Sequence, residues 1–269
     1  MNLLQNNIKS IAIGSFDGIH VAHQTLIDKA DALVIIERNG GYLTPGYKRS
    51  HFTDKICCFY HFDVLKSLSP EAFIAKLQED FPLLETIVVG YDFHFGKNKA
   101  GNAERLEVLF SGEVVIVEKV SLGGIPVHSR TIKEYLREGN IAMANKLLGR
   151  IHYIEGEVVQ GQGLGKKELF PTINLNVKEY QLPLEGVYAT RTRIAGEWLN
   201  SISFLGYRVT TDDSFAVETH VLDKELGEVQ GEIALEFVDF IRVNQKFDSL
   251  NALKQQIQED IRVAKKRLS

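Results

Sequence analysis

The chain has 269 residues, of which 44% are hydrophobic and 25% charged, and its formal net charge is −4. That length accommodates two ordinary domains, each with a buried core. The small acidic excess argues against a dedicated nucleic-acid-binding protein, which would carry a basic excess. No stretch approaches the roughly 20 apolar residues of a membrane helix, so we expect no membrane partner either. The bulk composition therefore favours a protein that acts on small molecules.

The cysteines and the amino terminus predict a cytoplasmic protein. Cys57 and Cys58 are the only cysteines, and adjacent cysteines form neither a loop-closing disulfide nor a zinc-binding spacing. The opening segment "MNLLQNNIKSIAIG" lacks the basic region and long apolar run of an export signal. The sequence leaves the oligomeric state open.

The first half alternates short β-branched runs with helical patterns, which predicts a parallel sheet with crossover helices. We predict helices in "HQTLIDKA" and "SPEAFIAKLQED". The predicted strands are Ser10–Gly14, Ala32–Glu37, Glu85–Gly90 and Glu113–Glu118. Ligands of such sheets bind at the carboxyl ends of the strands, where "GSFDGIH" and "GYDFHFG" fall.

"SRTIKEYLREGNIAMANKLLGR" predicts two helices separated by Gly139-Asn140 and ended by Gly149. After these helices the sequence pattern changes. Repeated short strand-like runs follow and predict an all-β barrel. A last helix begins after a predicted N-cap at Ser249, and its predicted apolar face is Leu250, Leu253, Ile257, Ile261 and Leu268. We place the domain boundary near Arg150, which gives domains of residues 1–149 and 150–269.

Two histidines, His20 and His23, lie in "GSFDGIHVAHQ" where a helix would begin. A zinc site needs three or four ligands, and no third ligand stands beside them at a standard spacing. Packing in the core is a second interpretation. The third is phosphate binding, because glycines allow a ligand close to the backbone and helix-start N–H groups favour anions. Imidazole donors could then stabilise charge that develops on phosphorus.

A glycine-rich segment, "GEVVQGQGLGKKELFPTINL", opens the second domain. Its glycines fail the Walker pattern, because Gln160 stands at the first glycine position and Lys167 at the Ser/Thr position. In an extended segment Thr172 and Asn174 point to the same side, and their oxygens suit Mg²⁺ and phosphate. A flexible hairpin and a turn cap explain the same spacing, so the residues alone leave these alternatives open.

These motifs together resemble a known family. "GSFDGIHVAHQ" and "VVGYDFHFGKNKAG" are similar to the amino-terminal module of bacterial bifunctional riboflavin kinase/FMN adenylyltransferases, also called FAD synthetases. "FPTINL", "LPLEGVYATR", "AVETHVLD" and "KFDSLNALKQQIQEDI" resemble the riboflavin kinase domain in the same order. The resemblance implies an α/β nucleotidylyltransferase-like domain with a Rossmann-like parallel sheet, followed by an all-β Greek-key barrel with a carboxyl-terminal helix.

The resemblance also implies an activity and a set of residues. The substrates would be ATP, riboflavin and FMN, with Mg²⁺ as the metal ion at Thr172 and Asn174. Glu218 would be the base for the ribityl hydroxyl, a role that suits a carboxylate within hydrogen-bond reach of that group. The other positions it implies are catalytic His20 and His23, flavin-binding Asp92, Phe93 and Arg208, and nucleotide-binding Gly14, Phe16, Asp17, Gly18, Ser129, Lys133, Gly161, Gly163, Gly165 and Pro171.

The chain departs from the family pattern at a few positions. Ala22 replaces the glycine between the histidines, Arg130 and Lys133 replace a threonine and an arginine, and Val209 replaces a proline. Lysine neutralises a phosphate but lacks the planar fork of arginine. Two alternatives to the bifunctional enzyme therefore stay open: a riboflavin kinase with a degenerate first domain, and a flavin-binding regulator without catalysis. The intact Thr172, Asn174 and Glu218 argue against the regulator.

Overall fold

We describe a computed structural model of the chain over residues 7–38, 41–160, 170–208 and 214–269. It divides into two compact units, Met1–Ser129 and Arg130–Ser269. Within the described residues, no helix is both long and apolar enough to cross a membrane.

A five-stranded parallel sheet forms the centre of the first unit, in the order β3-β2-β1-β4-β7. Its strands are β1 (Ser10–Gly14), β2 (Ala32–Glu37), β3 (Ile56–His61), β4 (Thr86–Gly90) and β7 (Glu113–Val117). The four strands predicted from the sequence are confirmed. The fifth, β3, was missed because this edge strand is only partly buried and its sequence, "ICCFYH", lacks a clean alternation.

Helices and short hairpins connect these strands. The helices are α1 (Val21–Ile27), α2 (Phe62–Leu65), α3 (Pro70–Asp80) and α4 (Ala103–Leu109), with a 3₁₀ segment at Gly46–Phe52. The short strands are β5 (His94–Phe95), β6 (Gly101–Asn102), β8 (Ser121–Leu122) and β9 (Ile125–Pro126). Ser69 caps α3 by accepting a hydrogen bond from the Ala72 N–H, and Pro70 occupies the first helical position. The helix predicted over Ser69–Asp80 is thus confirmed.

The sheet is buried on both faces, as parallel sheets usually are. Ile11 and Ile13 of β1 pack into one apolar cluster, whereas Ala12 between them packs into another on the opposite face. The chain moves from β1 to β2 on one side and returns to β4 on the other, so the strand order reverses between β1 and β4. Ligands of open α/β sheets bind at the carboxyl edge beside such a reversal.

A helix pair, a closed barrel and a last helix make up the second unit, although Ser129, the first residue of the pair, belongs to the first unit. The helices of the pair are α5 (Ser129–Arg137) and α6 (Ile141–Leu148), and the barrel order is β10-β11-β14-β13-β12-β15. Asn140 caps α6 and Gly149 ends it in the left-handed conformation, which confirms the predicted helix pair. The strands are β10 (His152–Val159), β11 (Ile173–Asn176), β12 (Gly186–Ile194), β13 (Glu197–Tyr207), β14 (Phe215–Val221) and β15 (Glu232–Val243).

The last helix, α7 (Leu250–Leu268), packs against the barrel through Ala264 and Leu268, and Ser249 caps it as predicted. Leu250 was wrongly assigned to the apolar face: its first-turn side chain is 41% exposed. An ion pair adds to the contact, because buried Asp260 accepts from the Arg242 guanidinium at 2.7 Å.

The division of the chain into two compact units falls between Ser129 and Arg130, ahead of the predicted boundary near Arg150. The reason is that α6 contacts β10 and β15, so the helix pair groups with the barrel. The boundary near Arg150 stays a prediction about the functional domains.

A buried histidine makes the stability of the barrel sensitive to acid. His152 is 2% exposed, stacks on Phe237 and has no hydrogen-bond partner at Nε2. Burial, aided by the nearby Arg150 charge, lowers the pKa of His152 from 6.5 to about 3. The unfolded state therefore binds an extra proton below pH 6.5, and stability is lost as the pH falls from there toward 3.

We predict that His152→Phe removes this pH dependence. Between pH 7.5 and 5.5, the free energy of unfolding of the wild type should fall relative to that of the variant by about 1.4 kcal/mol per pH unit below the unfolded pKa. Urea titration followed by fluorescence of Trp198, the only tryptophan, which lies on β13, measures it. The exposed His61→Phe is the control. If the free energies of unfolding of the wild type and of His152→Phe differed by the same amount at both pH values, His152 would not be the source of the pH dependence.

Candidate active sites

The turn that leaves β1 has an unusual backbone. Gly18 has φ 88°, and two residues with side chains share the left-handed region, Phe16 at 47° and Ile19 at 37°. A positive φ is an outlier for a β-branched residue such as Ile19, and such strain concentrates at functional sites. Phe16 is fully buried, so packing of its ring offsets part of the cost. The turn delivers His20 to the start of α1, at the carboxyl edge of the sheet.

His20 and His23 cap α1 reciprocally. The His23 N–H donates to Nδ1 of His20 at 3.3 Å, and the His20 N–H donates to Nδ1 of His23 at 3.4 Å. The rings stack with centroids 3.5 Å apart. Because each Nδ1 accepts a hydrogen bond, the neutral rings carry their proton on Nε2. Both imidazoles are therefore arranged to donate from Nε2, which is the arrangement that a phosphate-binding pair needs.

Asp17 also stabilises this turn, through hydrogen bonds of its side chain and its backbone carbonyl that together form what we call the Asp17 brace. Asp17 is 4% exposed, and its Oδ1 accepts from the N–H groups of Leu43 and Thr44 at 2.8 and 3.1 Å. Its backbone carbonyl accepts from the Ser129 hydroxyl at 2.8 Å. Two residues predicted to bind nucleotide, Asp17 and Ser129, thus lie together at the β1 turn, with Gly14 at the end of the strand itself.

The segment after β4 contains the predicted flavin positions. Asp92 is exposed, whereas Phe93 is half-buried and stacks on Phe95 against the core. A neighbouring pair was not predicted from the sequence: the Tyr91 hydroxyl lies 3.3 Å from Nε2 of His128. His128 directly precedes Ser129, so this pair belongs to the same edge of the sheet. Lys133 lies one turn after Ser129 on α5, beyond the boundary of the first unit.

In the barrel, the register of two strands brings the kinase residues together. Asn174 of β11 pairs directly opposite Glu218 of β14, so the two side chains lie on the same face. Arg208 bridges them: Nε donates to Glu218 Oε1 at 2.7 Å and Nη2 donates to Asn174 Oδ1 at 2.6 Å. The predicted base and the predicted metal ligand are therefore neighbours, and both contact an arginine that was expected to bind flavin.

Asn174 and Arg208 line a cleft of about 350 Å³, and Glu218 directly follows its lining residue Val217. The lining is mixed, with apolar side chains beside the polar group. Its lining residues are Val159, Gln160, Asn174, Leu175, Arg208, Phe215, Ala216 and Val217. A cleft of this size and lining suits a small molecule with one apolar and one polar end.

The "FPT" segment before β11 is held by His220, which was not predicted from the sequence. Nδ1 of His220 lies 2.8 Å from the Pro171 carbonyl, and its ring contacts Phe170. Thr172, the other predicted metal ligand, is exposed two residues before Asn174. The predicted phosphate-binding glycines Gly161, Gly163 and Gly165 lie outside the described residues.

A cluster of buried hydroxyl groups lies in the barrel behind this site. Thr190 and Thr192 of β12 are linked to Ser201, Ser203 and Thr219 by hydrogen bonds of 2.7–2.8 Å. All five residues are at most 1% exposed. Thr219 follows Glu218 and points to the opposite face of β14, so the network anchors the strand that carries the predicted base.

Comparisons with known proteins match both halves. The riboflavin kinase family model matches residues 148–268, and the FAD synthetase model matches residues 49–131. The bifunctional riboflavin kinase/FMN adenylyltransferase of Listeria monocytogenes is 30% identical, over 94% of this chain and 90% of the relative. The chain belongs to this bifunctional family.

Other members agree with this assignment to the family. The bifunctional riboflavin kinase/FMN adenylyltransferase of Mycoplasma pneumoniae is 29% identical, over 96% of this chain and 97% of the relative. A crystal structure described as a macrolide-efflux protein from Streptococcus pneumoniae aligns over 97% of this chain and 95% of its own, with 26% identity and a TM-score of 0.84. The fold, family and transferase class predicted from the sequence are confirmed.

We predict that the Asp17 brace stabilises the fold of the first unit. In Asp17→Ala the N–H groups of Leu43 and Thr44, which are buried, lose their acceptor, and the free energy of unfolding should fall by about 1–3 kcal/mol. Asp17→Asn keeps an acceptor oxygen and should cost less.

Urea denaturation followed by circular dichroism measures the change, with Asp54→Ala as an exposed control. If Asp17→Ala unfolds at the wild-type urea concentration, the brace contributes nothing.

Proposed function

We propose that the barrel phosphorylates riboflavin to FMN and that the amino-terminal unit adenylylates FMN to FAD, with ATP as the donor and Mg²⁺ as the metal ion in both. The observation that carries the proposal is the cross-strand pair of Asn174, which lines the barrel cleft, and Glu218 directly opposite it. The histidine cap after β1 supports the second activity.

In the kinase site Glu218 is the base that accepts the proton of the attacking hydroxyl. A carboxylate within hydrogen-bond reach of the ribityl hydroxyl orients it and accepts its proton as the bond to phosphorus forms. The cleft holds the flavin so that this hydroxyl lies beside Glu218, and such positioning supplies much of the catalysis.

The residues present fit a magnesium site built around the nucleotide. Among the described residues there is no cluster of three or more histidines, cysteines or acidic residues that could hold a metal by itself. Oxygen donors suit Mg²⁺, and the metal is usually shared with substrate phosphates. Asn174 Oδ1 already accepts from one cation, the guanidinium of Arg208. Asn174 and Thr172 would hold Mg²⁺, which neutralises phosphate charge when bound.

In the adenylyltransferase site the histidines act as donors. Nε2–H groups of His20 and His23 would stabilise the negative charge that grows on the α-phosphate of ATP as the FMN phosphate attacks it and pyrophosphate leaves. The start of α1 favours the same charge. Gly14, Phe16 and Gly18 shape the turn against which the nucleotide would lie, and Asp92 and Phe93 would contact the flavin.

We predict that Glu218→Gln loses the first activity alone. Given riboflavin, ATP and Mg²⁺, the wild type should form FMN and then FAD. The variant should form FMN at least about 100-fold more slowly, because glutamine accepts no proton. Given FMN, it should still form FAD at the wild-type rate. Chromatography of the flavins measures both, with Glu157→Gln, exposed on β10, as the control. Unchanged FMN formation would exclude Glu218 as the base.

The converse variant is His23→Ala. FAD formation from supplied FMN should fall by about 100- to 1,000-fold, because one donor to the developing charge is lost. FMN formation from riboflavin should be unaffected. His61→Ala, an exposed histidine on β3, controls for the loss of an imidazole. Retention of FAD formation in His23→Ala would show that the pair serves only as a helix cap.

A further inference from the structure

Arg208 contacts other residues of the kinase site through all three of its guanidinium nitrogens. Nε and Nη2 contact Oε1 of Glu218 at 2.7 and 2.5 Å, and Nη2 also donates to Asn174 Oδ1 at 2.6 Å. Nη1 donates to the Ser214 hydroxyl at 2.7 Å. A single side chain therefore engages the proposed base and the proposed metal ligand at once.

Arg208 and a metal ion compete for the same oxygen. The guanidinium is permanently charged, and Nη2 lies 2.6 Å from Asn174 Oδ1. Mg²⁺ bound to that oxygen would lie about 2.1 Å from it, so the two cations would repel each other strongly. The Arg208 contact with Asn174 must open before Asn174 can hold a metal ion.

Arg208 also competes with the substrate. Two of its nitrogens contact a single oxygen of Glu218, so a hydroxyl that approaches that oxygen has to displace the guanidinium. The Arg208 and Glu218 side chains are 17% and 21% exposed, and Arg208 lines the cleft. The backbone of Arg208 is held independently of its side chain, since the Arg208 N–H donates to the Ser214 carbonyl at 2.9 Å. The side chain can thus swing away while the main chain stays in place.

We propose that Arg208 is a positioning residue that holds the unloaded kinase site closed, and that its release couples the binding of metal-nucleotide at Asn174 to the binding of flavin at Glu218. The inference rests on the proposed kinase function. Whichever ligand binds first bears the cost of releasing Arg208, and the second ligand finds the site already open. Each ligand must therefore tighten the binding of the other by the same factor.

The sequence-based expectation for Arg208 makes the opposite prediction. A residue that contacts the flavin would strengthen riboflavin binding, and its loss would weaken that binding with or without nucleotide. A residue that closes the empty site opposes the first ligand, and its loss tightens binding of that ligand. The two roles differ in the sign of the effect on riboflavin affinity in the absence of nucleotide.

The test is a riboflavin titration of the full-length protein, followed by the quenching of flavin fluorescence, with and without Mg²⁺ and ADP. In the wild type, Mg²⁺·ADP should tighten riboflavin binding by about 5-fold or more, within the usual range of coupling between sites. In Arg208→Gln, riboflavin should bind more tightly than to the wild type when nucleotide is absent, and the coupling factor should fall to near 1. Arg193→Gln, on exposed β12 surface of the same barrel, should behave as the wild type.

Three results would overturn the proposal. They are an unchanged coupling factor in Arg208→Gln, weaker riboflavin binding to it in the absence of nucleotide, and no coupling in the wild type. Arg208→Lys keeps the charge without the fork and should restore part of the coupling. A wild type that bound neither riboflavin nor Mg²⁺·ADP would instead contradict the kinase function, so the two failures are distinguishable.

Discussion

The pairing register between β11 and β14 is the constraint on which the kinase site depends. It sets Asn174 directly opposite Glu218, and a slip of one residue would turn one of these side chains to the other face of the strand. The hydroxyl network behind β14 and the His220 contact with Pro171 hold that register from two sides. The arginine between the two residues then follows from charge, since a carboxylate and an amide oxygen that lie opposite each other on neighbouring strands attract a cation.

The amino-terminal site is built on a different principle. There the strand order reverses between β1 and β4, and a strained turn closes the carboxyl edge of β1. The two histidines satisfy each other's backbone N–H groups, which commits each Nδ1 to the helix and leaves Nε2 as the donor. Local capping therefore fixes the chemical form of the pair. Ala22, between the histidines, lies in the first turn of α1 and leaves this reciprocal cap intact.

Much of the fold follows from local patterns in the sequence. Buried strands such as Ala32–Glu37 and capped helices such as α6 are specified by their own residues, and the structure contains both. The missed strand β3 is half-exposed at an edge, where tertiary pairing decides. Leu250 was misplaced because the pattern extended into the exposed first turn of α7. The residue types of both sites could be recognised in the sequence. The contacts of Arg208 could not be predicted, because they depend on residues 34 and 10 positions away in the chain.

The most direct test of two successive transfers in one chain uses labelled ATP. With riboflavin as the acceptor, label from the γ-phosphate should enter FMN and remain in FAD, because the kinase transfers that phosphoryl group. Label from the α-phosphate should enter FAD alone, because the adenylyltransferase transfers AMP. FMN that carries γ-label without any α-labelled FAD would contradict the bifunctional account, and so would flavins that carry neither label.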